Sequence, residues 1–278
     1  MNKISAGDRL PSGIFNPYAG FKRVDNFVNT SGDMLAISND PSLLAANTII
    51  TDAFSPGKII HVEISDKAII LNNKKYLPDQ IKIFHSDFTY PNKNLAEIQH
   101  TIRTFINQNS MLFPAGSLLF LLMPGVNSSP GSTFDRLLRK EFEQAFAQFY
   151  DHFFESIRSF RSKGRGLTPS GDDFIAGVLY GIHCLETISG QNHRNIIKQV
   201  YETAAGENLF SKTMLTMARE ARYFKRLQDF LDTLFHKKNA ESNAAFLQLT
   251  GVGETSGADL ISGFFAVLLE KPRIFEIS

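Results

Sequence analysis

The strongest constraint in the sequence is a glycine-rich loop that occurs twice, each time directly before an apolar helical pattern. The first copy, GRGLTPSGDD, spans 164–173, and the second, GVGETSGAD, spans 251–259. Because glycine makes up only about 7% of average sequence, ordered matches between the copies indicate two related helix starts. When Pro169 is omitted, the shared positions are Gly164/Gly251, Gly166/Gly253, Thr168/Thr255, Ser170/Ser256, Gly171/Gly257, Asp173/Asp259 and Gly177/Gly263.

The small polar residues of each copy have the spacing of a helix N-terminus. Ser170 and Ser256 occupy the expected N-cap positions, and Asp173 and Asp259 follow three residues later, in the Ser-x-x-Asp form of a capping box. Glycines ahead of the caps permit positive φ and let backbone N–H groups approach a ligand. Because the helix dipole is positive at this end, each loop favours an anion.

Glycine also occurs inside both predicted helices, at Gly177, Gly181 and Gly263. A glycine there costs about 1 kcal/mol relative to alanine, and a close crossing of the two helices is the compensation that we expect. If the helices pack through Gly177 and Gly263, each N-terminus lies about 10 Å from the crossing, at a rise of about 1.5 Å per residue. The two loops would then form one composite site.

The composition narrows the classes of partner. The 29 basic and 28 acidic residues give a formal net charge of +1, which provides no electrostatic footprint for nucleic acid or an anionic membrane. No apolar run reaches signal-peptide length at the N-terminus or the ~18 to 20 residues of a membrane span. The single cysteine, Cys184, is expected to be a small buried hydrophobe. We therefore expect a cytoplasmic protein without a membrane segment or an internal disulfide.

The N-terminal part has the pattern of a β-rich domain. Residues 1–20 are rich in Gly, Pro, Ser and Asn and are predicted to form an irregular arm. Short apolar and β-branched runs separated by turn residues then continue to about residue 90. The pattern predicts an antiparallel sheet or a small barrel. The predicted strands are 27–29, 34–37, 59–64, 68–71 and 82–84.

The remainder is predicted to be helical, which makes the whole an α+β fold. Residues 95–108 form an amphipathic pattern, and 118–123 have the pattern of a buried strand. The Gly- and Pro-rich stretch 124–132 is either an ordinary connector or part of a site, and it divides the chain into a β-rich domain, 1–124, and an all-helical domain, 125–278. Phenylalanines at helical spacing predict one long helix with a core-facing stripe over 133–161. Further helices follow the first motif helix, at about 192–205, 210–221, 222–237 and 240–249.

Two kinds of site fit the loops. In the first, backbone amides and hydroxyls bind a phosphate or carboxylate, and Arg165 or Lys163 adds positive charge. The candidate anion-binding residues are Gly164, Arg165, Gly166, Thr168, Ser170, Gly171, Thr255, Ser256 and Gly257. In the second, Asp172, Asp173 and Asp259 supply oxygen ligands for Mg²⁺. The loops fit neither a Walker loop, because no Gly-Lys-Ser/Thr follows the glycines, nor a Rossmann fingerprint, because no strand precedes them.

The string from Gly164 to Asp173, with Phe174 and Gly177 after it, resembles the signature of domain-of-unknown-function family 2877. The stretch 251–259 is similar to the second part of that signature. This family includes the AllH-like subunit of oxamate carbamoyltransferase in allantoin degradation, a step of purine catabolism. Weaker similarities cover most of the chain, at Phe27-Val28-Asn29, Gly32-Asp33-Met34-Leu35, Phe210-Ser211, Leu215 and Ala218.

The resemblance implies a subunit of an enzyme that exchanges a carbamoyl group between carbamoyl phosphate and oxamate, two small anions that suit paired helix N-termini. It also implies other enzyme subunits or a homo-oligomer as partners. In this interpretation Asp172, Asp173 and Ser170 are the candidate catalytic residues, and no cofactor is required, with Mg²⁺ left open. The alternatives are a noncatalytic metabolite-binding or assembly subunit and a Mg²⁺-dependent phosphate-handling enzyme.

Overall fold

The computed structural model of the chain describes residues 3–125, 131–236, 239–251 and 253–276. The chain divides into two compact units, each with its own packing. One comprises Met1–Phe88 and Arg222–Gln228, and the other comprises Thr89–Ala221 and Asp229–Ser278. Residues 89–124 are thus grouped with the helical part. The domain division at residues 124 and 125 stays a prediction, and residues 126–130 of the predicted linker lie outside the described residues.

The first unit contains a single nine-stranded sheet among its described residues, in the order β8-β7-β6-β2-β3-β4-β5-β1-β9. Most neighbours are antiparallel, but β4 pairs with β5 and β1 with β9 in parallel. The β-rich N-terminal prediction is confirmed. The strands are β1 Ile4–Gly7, β2 Gly13–Gly20, β3 Asp25–Asn29, β4 Met34–Ser38, β5 Thr48–Thr51, β6 Val62–Ser65, β7 Ala68–Leu71, β8 Lys74–Tyr76 and β9 Ile81–Phe84.

The prediction that residues 1–20 form an irregular arm was wrong, because β1 and β2 lie there. Residues of these strands that point inward join the core of the sheet, where Phe15 packs with Phe27 and Ile37. Pro17 sits at an irregularity in the pairing of β2 with β3, which is where a strand tolerates proline. The composition of residues 1–20 therefore did not reveal two strands that are stabilised by pairing with neighbouring strands.

The second unit is helical, which confirms the α+β class. None of the described helices has the length and apolar character needed to cross a membrane. Cys184 is fully buried in α4, as expected, and burial raises the pKa of its thiol. The helices of the chain are α1 Leu95–Asn109, α2 Thr133–Phe146, α3 Phe153–Phe160, α4 Ser170–Ser189, α5 Arg194–Ala204, α6 Leu209–Arg219, α7 Lys225–His236, α8 Asn239–Thr250 and α9 Ser256–Leu269.

Two predicted elements of this unit were wrong. The segment 118–123 contains a short 3₁₀ helix, Leu118–Leu121, whose four residues are all buried; such a run without periodicity does not distinguish strand from helix. The single helix over 133–161 is two helices, because the chain turns after α2. Phe149 lies in that turn yet is fully buried, so the aromatic spacing continues where the helix does not.

The tightest packing in this unit is the crossing of α4 and α9, which was predicted from their glycines. A Cβ atom added to Gly177 would overlap the carbonyl oxygen of Leu260 in α9. A Cβ atom added to Gly263 would overlap the carbonyl oxygen of Phe174 in α4. Because backbone meets backbone at both points, only glycine fits, and the crossing brings the two motif loops to the same end of the helix pair.

We expect Gly177→Ala to lower the free energy of unfolding by about 1–3 kcal/mol, the usual cost of overpacking a core. The added methyl group meets main-chain atoms of α9, which cannot rotate away, and this outweighs the gain of about 1 kcal/mol from the better helix propensity of alanine. Urea denaturation measures the change. Gly131→Ala is the matched control, because among the described residues its added Cβ would meet nothing closer than Asp135 Oδ2 at 3.9 Å. Equal midpoints for the two variants would contradict the close crossing.

Candidate functional site

The two glycine-rich loops meet at the N-terminal ends of α4 and α9. The hydroxyl oxygens of Thr168, from the first loop, and Ser256, from the second, are 3.3 Å apart. Both loops depend on glycines in the left-handed region, with φ of +94° at Gly166 and +77° at Gly253. Side chains of the two copies therefore contact one another directly, as a composite site requires.

The predicted N-caps were wrong by one residue in each loop. Pro169 and Thr255 occupy the N-cap positions, and Ser170 and Ser256 are the first helical residues. Neither capping residue makes a side-chain hydrogen bond to the helix start. Since the serines do not cap, their hydroxyls are available for contacts with the opposite motif.

The first buried aspartate, Asp173, accepts hydrogen bonds from both copies. Thr168 Oγ1 donates to Asp173 Oδ2 at 3.3 Å, and the Ser256 hydroxyl also interacts with this carboxyl. The side chain is only 2% exposed. Burial, and next the negative charge of Asp259, raise the pKa of Asp173 well above its usual range, although the two hydroxyls act in the opposite direction.

The second buried aspartate, Asp259, mirrors the first. The backbone amide of Leu118 donates to Asp259 Oδ1 at 2.7 Å, a contact that no pattern in the sequence indicates. Burial raises the pKa of Asp259 to about 7, while interactions with the Thr255 hydroxyl, the Leu118 amide and the Ser170 hydroxyl lower it. Each aspartate thus interacts with the threonine of its own loop and the serine of the other.

Asp172, predicted to be catalytic, holds the shape of the first loop. Its side chain is 2% exposed, and Oδ1 accepts a hydrogen bond of 2.7 Å from the amide of Ser162. Ser162 has a φ of +57°, a conformation that a non-glycine residue adopts only when its surroundings enforce it. This hydrogen bond accounts for a buried carboxylate at position 172 without a ligand.

Several amides of the predicted anion site already have acceptors within the protein. The Gly171 amide donates to the Lys163 carbonyl at 2.8 Å, and the Asp172 and Asp173 amides donate to the Pro169 carbonyl at 2.8 and 3.1 Å. Gly171 is instead required for packing, because an added Cβ would overlap the Phe160 carbonyl oxygen. The donors that remain for a ligand lie earlier in the loop, and the binding role of these residues stays a prediction.

The second loop repeats this use of glycine. An added Cβ on Gly257 would lie 2.5 Å from the Leu249 carbonyl oxygen, so this residue lets the start of α9 approach the end of α8. In the first loop an added Cβ on Gly164 would lie 2.5 Å from the Ser170 amide nitrogen, and its φ is +121°. Both glycines therefore fix the path of the backbone at the helix starts.

The two basic side chains of the first loop have acidic neighbours. Lys163 Nζ lies 2.9 Å from Glu141 Oε2, and Arg165 Nη2 lies 3.2 Å from Asp135 Oδ1. The Arg165 guanidinium also covers the Phe134 ring at 4.4 Å, so Phe134, which is 50% exposed, does not belong to the predicted core stripe. Arg165 is 62% exposed and lies where it can meet a solute.

A separate open groove of about 620 Å³ lies on the helical unit. Its lining includes His183, which is thirteen residues after Ser170 in α4 and therefore about 20 Å along the helix from the loops. His183 Nε2 lies 3.0 Å from the Arg219 carbonyl oxygen and Nδ1 lies 3.3 Å from Glu186 Oε2, so both ring nitrogens are engaged. The groove is a separate feature from the motif site.

The described residues contain no group of three or more His, Cys, Asp or Glu side chains arranged to hold a metal ion. Asp172 is directed to Ser162, whereas Asp173 and Asp259 interact with hydroxyls at the helix crossing. A magnesium site formed by these three carboxylates stays a prediction from the sequence.

Comparison with known proteins identifies one related family. Residues 162–268 match the family model described as oxamate carbamoyltransferase subunit AllH. The matched segment contains both loops, all of α4 and all but the last residue of α9, which confirms the resemblance over the part of the chain that forms the site. No curated protein and no solved structure matches the chain.

We expect Asp172→Ala to lower the free energy of unfolding by about 0.5–1.5 kcal/mol, the usual net contribution of one hydrogen bond, because the Ser162 amide loses its acceptor. Asp172→Asn keeps a side-chain oxygen at this position and should lose less. Chemical denaturation of both variants, with Asp66→Ala in an exposed turn as the control, measures the difference. If both variants were as stable as the parent protein, the structural role of Asp172 would be refuted.

Proposed function

We propose that this protein is a subunit of an oxamate-type carbamoyltransferase and that it binds small anionic metabolites where its two loops meet. The main support is the family match, since the segment similar to oxamate carbamoyltransferase subunit AllH begins just before the first loop and continues beyond the second. The proposed substrates are carbamoyl phosphate with oxamate, or oxalurate in the reverse direction. The proposed setting is allantoin degradation in the cytoplasm.

The proposed anion site lies over the hydroxyls of Thr168 and Ser256. These hydroxyls are half-buried and lie at the starts of two helices, each of which carries roughly half a positive charge at that end. A phosphate or carboxylate there would face both helix dipoles at once. The loop before Pro169, with Gly164 and Gly166 in left-handed conformations, supplies the remaining backbone donors.

Arg165 is the proposed mobile cation of this site. Its ion pair with Asp135 is exposed, and such pairs contribute only about 0–1 kcal/mol. Charge-assisted hydrogen bonds from a guanidinium to phosphate or carboxylate are roughly twice as strong as neutral ones. Replacing Asp135 by a substrate anion as the ion-pair partner of Arg165 therefore costs little free energy. The substrate could then draw Arg165 toward the helix starts.

Carbamoyl transfer between two anions makes a particular demand on such a site. The bond from the carbamoyl carbon to the phosphate oxygen breaks, a bond to the oxamate nitrogen forms, and the proton lost by that nitrogen passes to the departing phosphate, directly or through solvent. Preorganised donors at the departing phosphate would stabilise the charge that it acquires. In this scheme Asp173 would position the hydroxyls of Thr168 and Ser256, which interact with its buried carboxyl, and Ser170 would interact with Asp259.

A noncatalytic metabolite-binding or assembly subunit is the second candidate. The observation that favours it is the burial of the two candidate catalytic aspartates and of Asp259, since Asp172 and Asp173 are each 2% exposed and Asp259 is 0% exposed. None of these carboxyls is placed to exchange a proton with a surface-bound substrate directly. In this case another subunit would supply the chemistry, and the loops would bind the metabolite or an adjoining subunit.

We expect inorganic phosphate and oxamate to bind the purified protein, and Arg165→Ala to weaken binding about tenfold or more, the effect of losing a charged hydrogen bond of at least ~1.4 kcal/mol. Ser256→Ala should weaken binding less, because it removes one neutral donor. Isothermal titration calorimetry measures both. Arg158→Ala, on the exposed side of α3, is the matched control. Affinities equal to the parent for Arg165→Ala and Ser256→Ala would rule out this location.

We also expect release of phosphate from carbamoyl phosphate and oxamate to require the partner subunits of the transferase. The protein alone should give no release above background, and the reconstituted assembly should be active. Arg165→Ala should then reduce the activity of the assembly by at least the factor by which it weakens binding. An assembly with full activity in its absence would exclude a role for this chain in the reaction.

A further inference from the structure

The middle of the first loop is free of main-chain hydrogen bonds. The loop is anchored on either side of this stretch, where the Gly171 amide donates to the Lys163 carbonyl and two amides of α4 donate to the Pro169 carbonyl. Between these anchors, no amide or carbonyl of residues 164–168 pairs with another main-chain group of the described residues. The same residues supply the free donors of the proposed anion site. Their conformation must therefore be held by a side chain.

One side chain from outside the loop holds this stretch. Asn208 Nδ2 donates to the Leu167 carbonyl oxygen at 2.8 Å. In the part of the chain that the structure describes, no other group forms a hydrogen bond with the main chain of residues 164–168. Asn208 lies 41 residues further along the chain, directly before α6. The hydrogen bond is therefore a tertiary contact and does not belong to a local turn.

The Asn208 side chain is itself oriented by α6. Its Oδ1 accepts hydrogen bonds from the amides of Phe210 and Ser211, at 3.0 and 3.2 Å, which makes Asn208 the N-cap of this helix. The oxygen and the nitrogen belong to one carboxamide group, so fixing the oxygen also fixes where the nitrogen donates. A single side chain thus joins the start of α6 to the loop.

The helix α6 is a fixed support for this contact. Leu215, in the middle of α6, is fully buried, and the Arg219 carbonyl oxygen near its end lies 3.0 Å from Nε2 of His183 in α4. The connection before α6 also lies against the beginning of the loop, since a Cβ atom added to Gly206 would lie 3.5 Å from Arg161 Nη2. The loop that leads into α4 is therefore held by a helix that packs on α4.

We propose that Asn208 is a positioning residue of the anion site. Its hydrogen bond to Leu167 sets the conformation in which the adjoining Thr168 hydroxyl and the free amides of the loop face a bound phosphate or carboxylate. Donors that are ordered before binding lose less entropy when the ligand binds, so this hydrogen bond raises the affinity. The inference rests on the proposed function, because it takes the anion to bind where the two loops meet.

The substitution Asn208→Ser separates the contact with the loop from the N-cap. Serine is about as good an N-cap as asparagine, so the start of α6 is preserved, but serine has no amide that can donate to the Leu167 carbonyl. The change adds no charge that could repel an anion. Asn94→Ser at the N-cap of α1 is the matched control, because Asn94 Oδ1 accepts from the Glu97 amide at 3.0 Å and its Nδ2 has no partner among the described residues.

NMR relaxation of the protein without ligand measures the order of residues 164–168. We expect Asn208→Ser to lower the order parameters of these amides below about 0.6, the range of a flexible backbone. Titration calorimetry with inorganic phosphate should then give an affinity about twofold to tenfold weaker, the effect of one neutral hydrogen bond. The urea midpoint should match that of Asn94→Ser, which should keep the order parameters and the affinity of the parent protein.

Asn208→Asp is a second variant for the relaxation measurement, because a carboxylate also caps a helix but cannot donate to Leu167. Unchanged order parameters in both variants would overturn the role of Asn208. So would a flexible loop that binds phosphate as tightly as the parent protein, or a loss of affinity that only follows a loss of stability. If the parent protein binds no phosphate, the proposed anion site itself is wrong, whereas the relaxation data still decide whether Asn208 orders the loop.

Discussion

The close approach of α4 and α9 is the contact on which the candidate site depends. Gly177 meets the Leu260 carbonyl and Gly263 meets the Phe174 carbonyl, so main chain packs on main chain in both directions. This contact fixes the distance between the two helix starts, and with it the meeting of Thr168 and Ser256. A wider crossing would separate the hydroxyls and expose the two carboxyls to water.

The sequence was sufficient for the α+β class, with its β-rich N-terminal part, and for the crossing of α4 and α9. Two signals predicted the crossing. They are the two similar loops and the glycines inside both helices, which are unfavourable there, and both reflect the close approach of the two helices. Elements whose hydrophobic residues do not follow a clear helix or strand period were predicted less well. Leu118–Leu121 is buried on all sides, and the turn after α2 keeps Phe149 in the core, so the hydrophobic pattern does not reveal either change of backbone direction.

The details of the site could not be predicted, because its partners are distant in sequence. The Ser-x-x-Asp spacing indicates a local capping box, yet the aspartates interact with serines of the opposite loop. The amide that contacts Asp259 belongs to Leu118, and nothing in the spacing of the motif points there. Local patterns identified which residues are special, whereas tertiary contacts determine what each one does.

The exchange of serines between the two copies makes them interdependent. Ser170 interacts with Asp259 in the helix that begins at Ser256. Ser256 interacts with Asp173 in the helix that begins at Ser170. Because each serine interacts with the aspartate of the opposite loop, a change in either serine alters the other helix start. The two loops are therefore coupled, even where a ligand contacts only one of them.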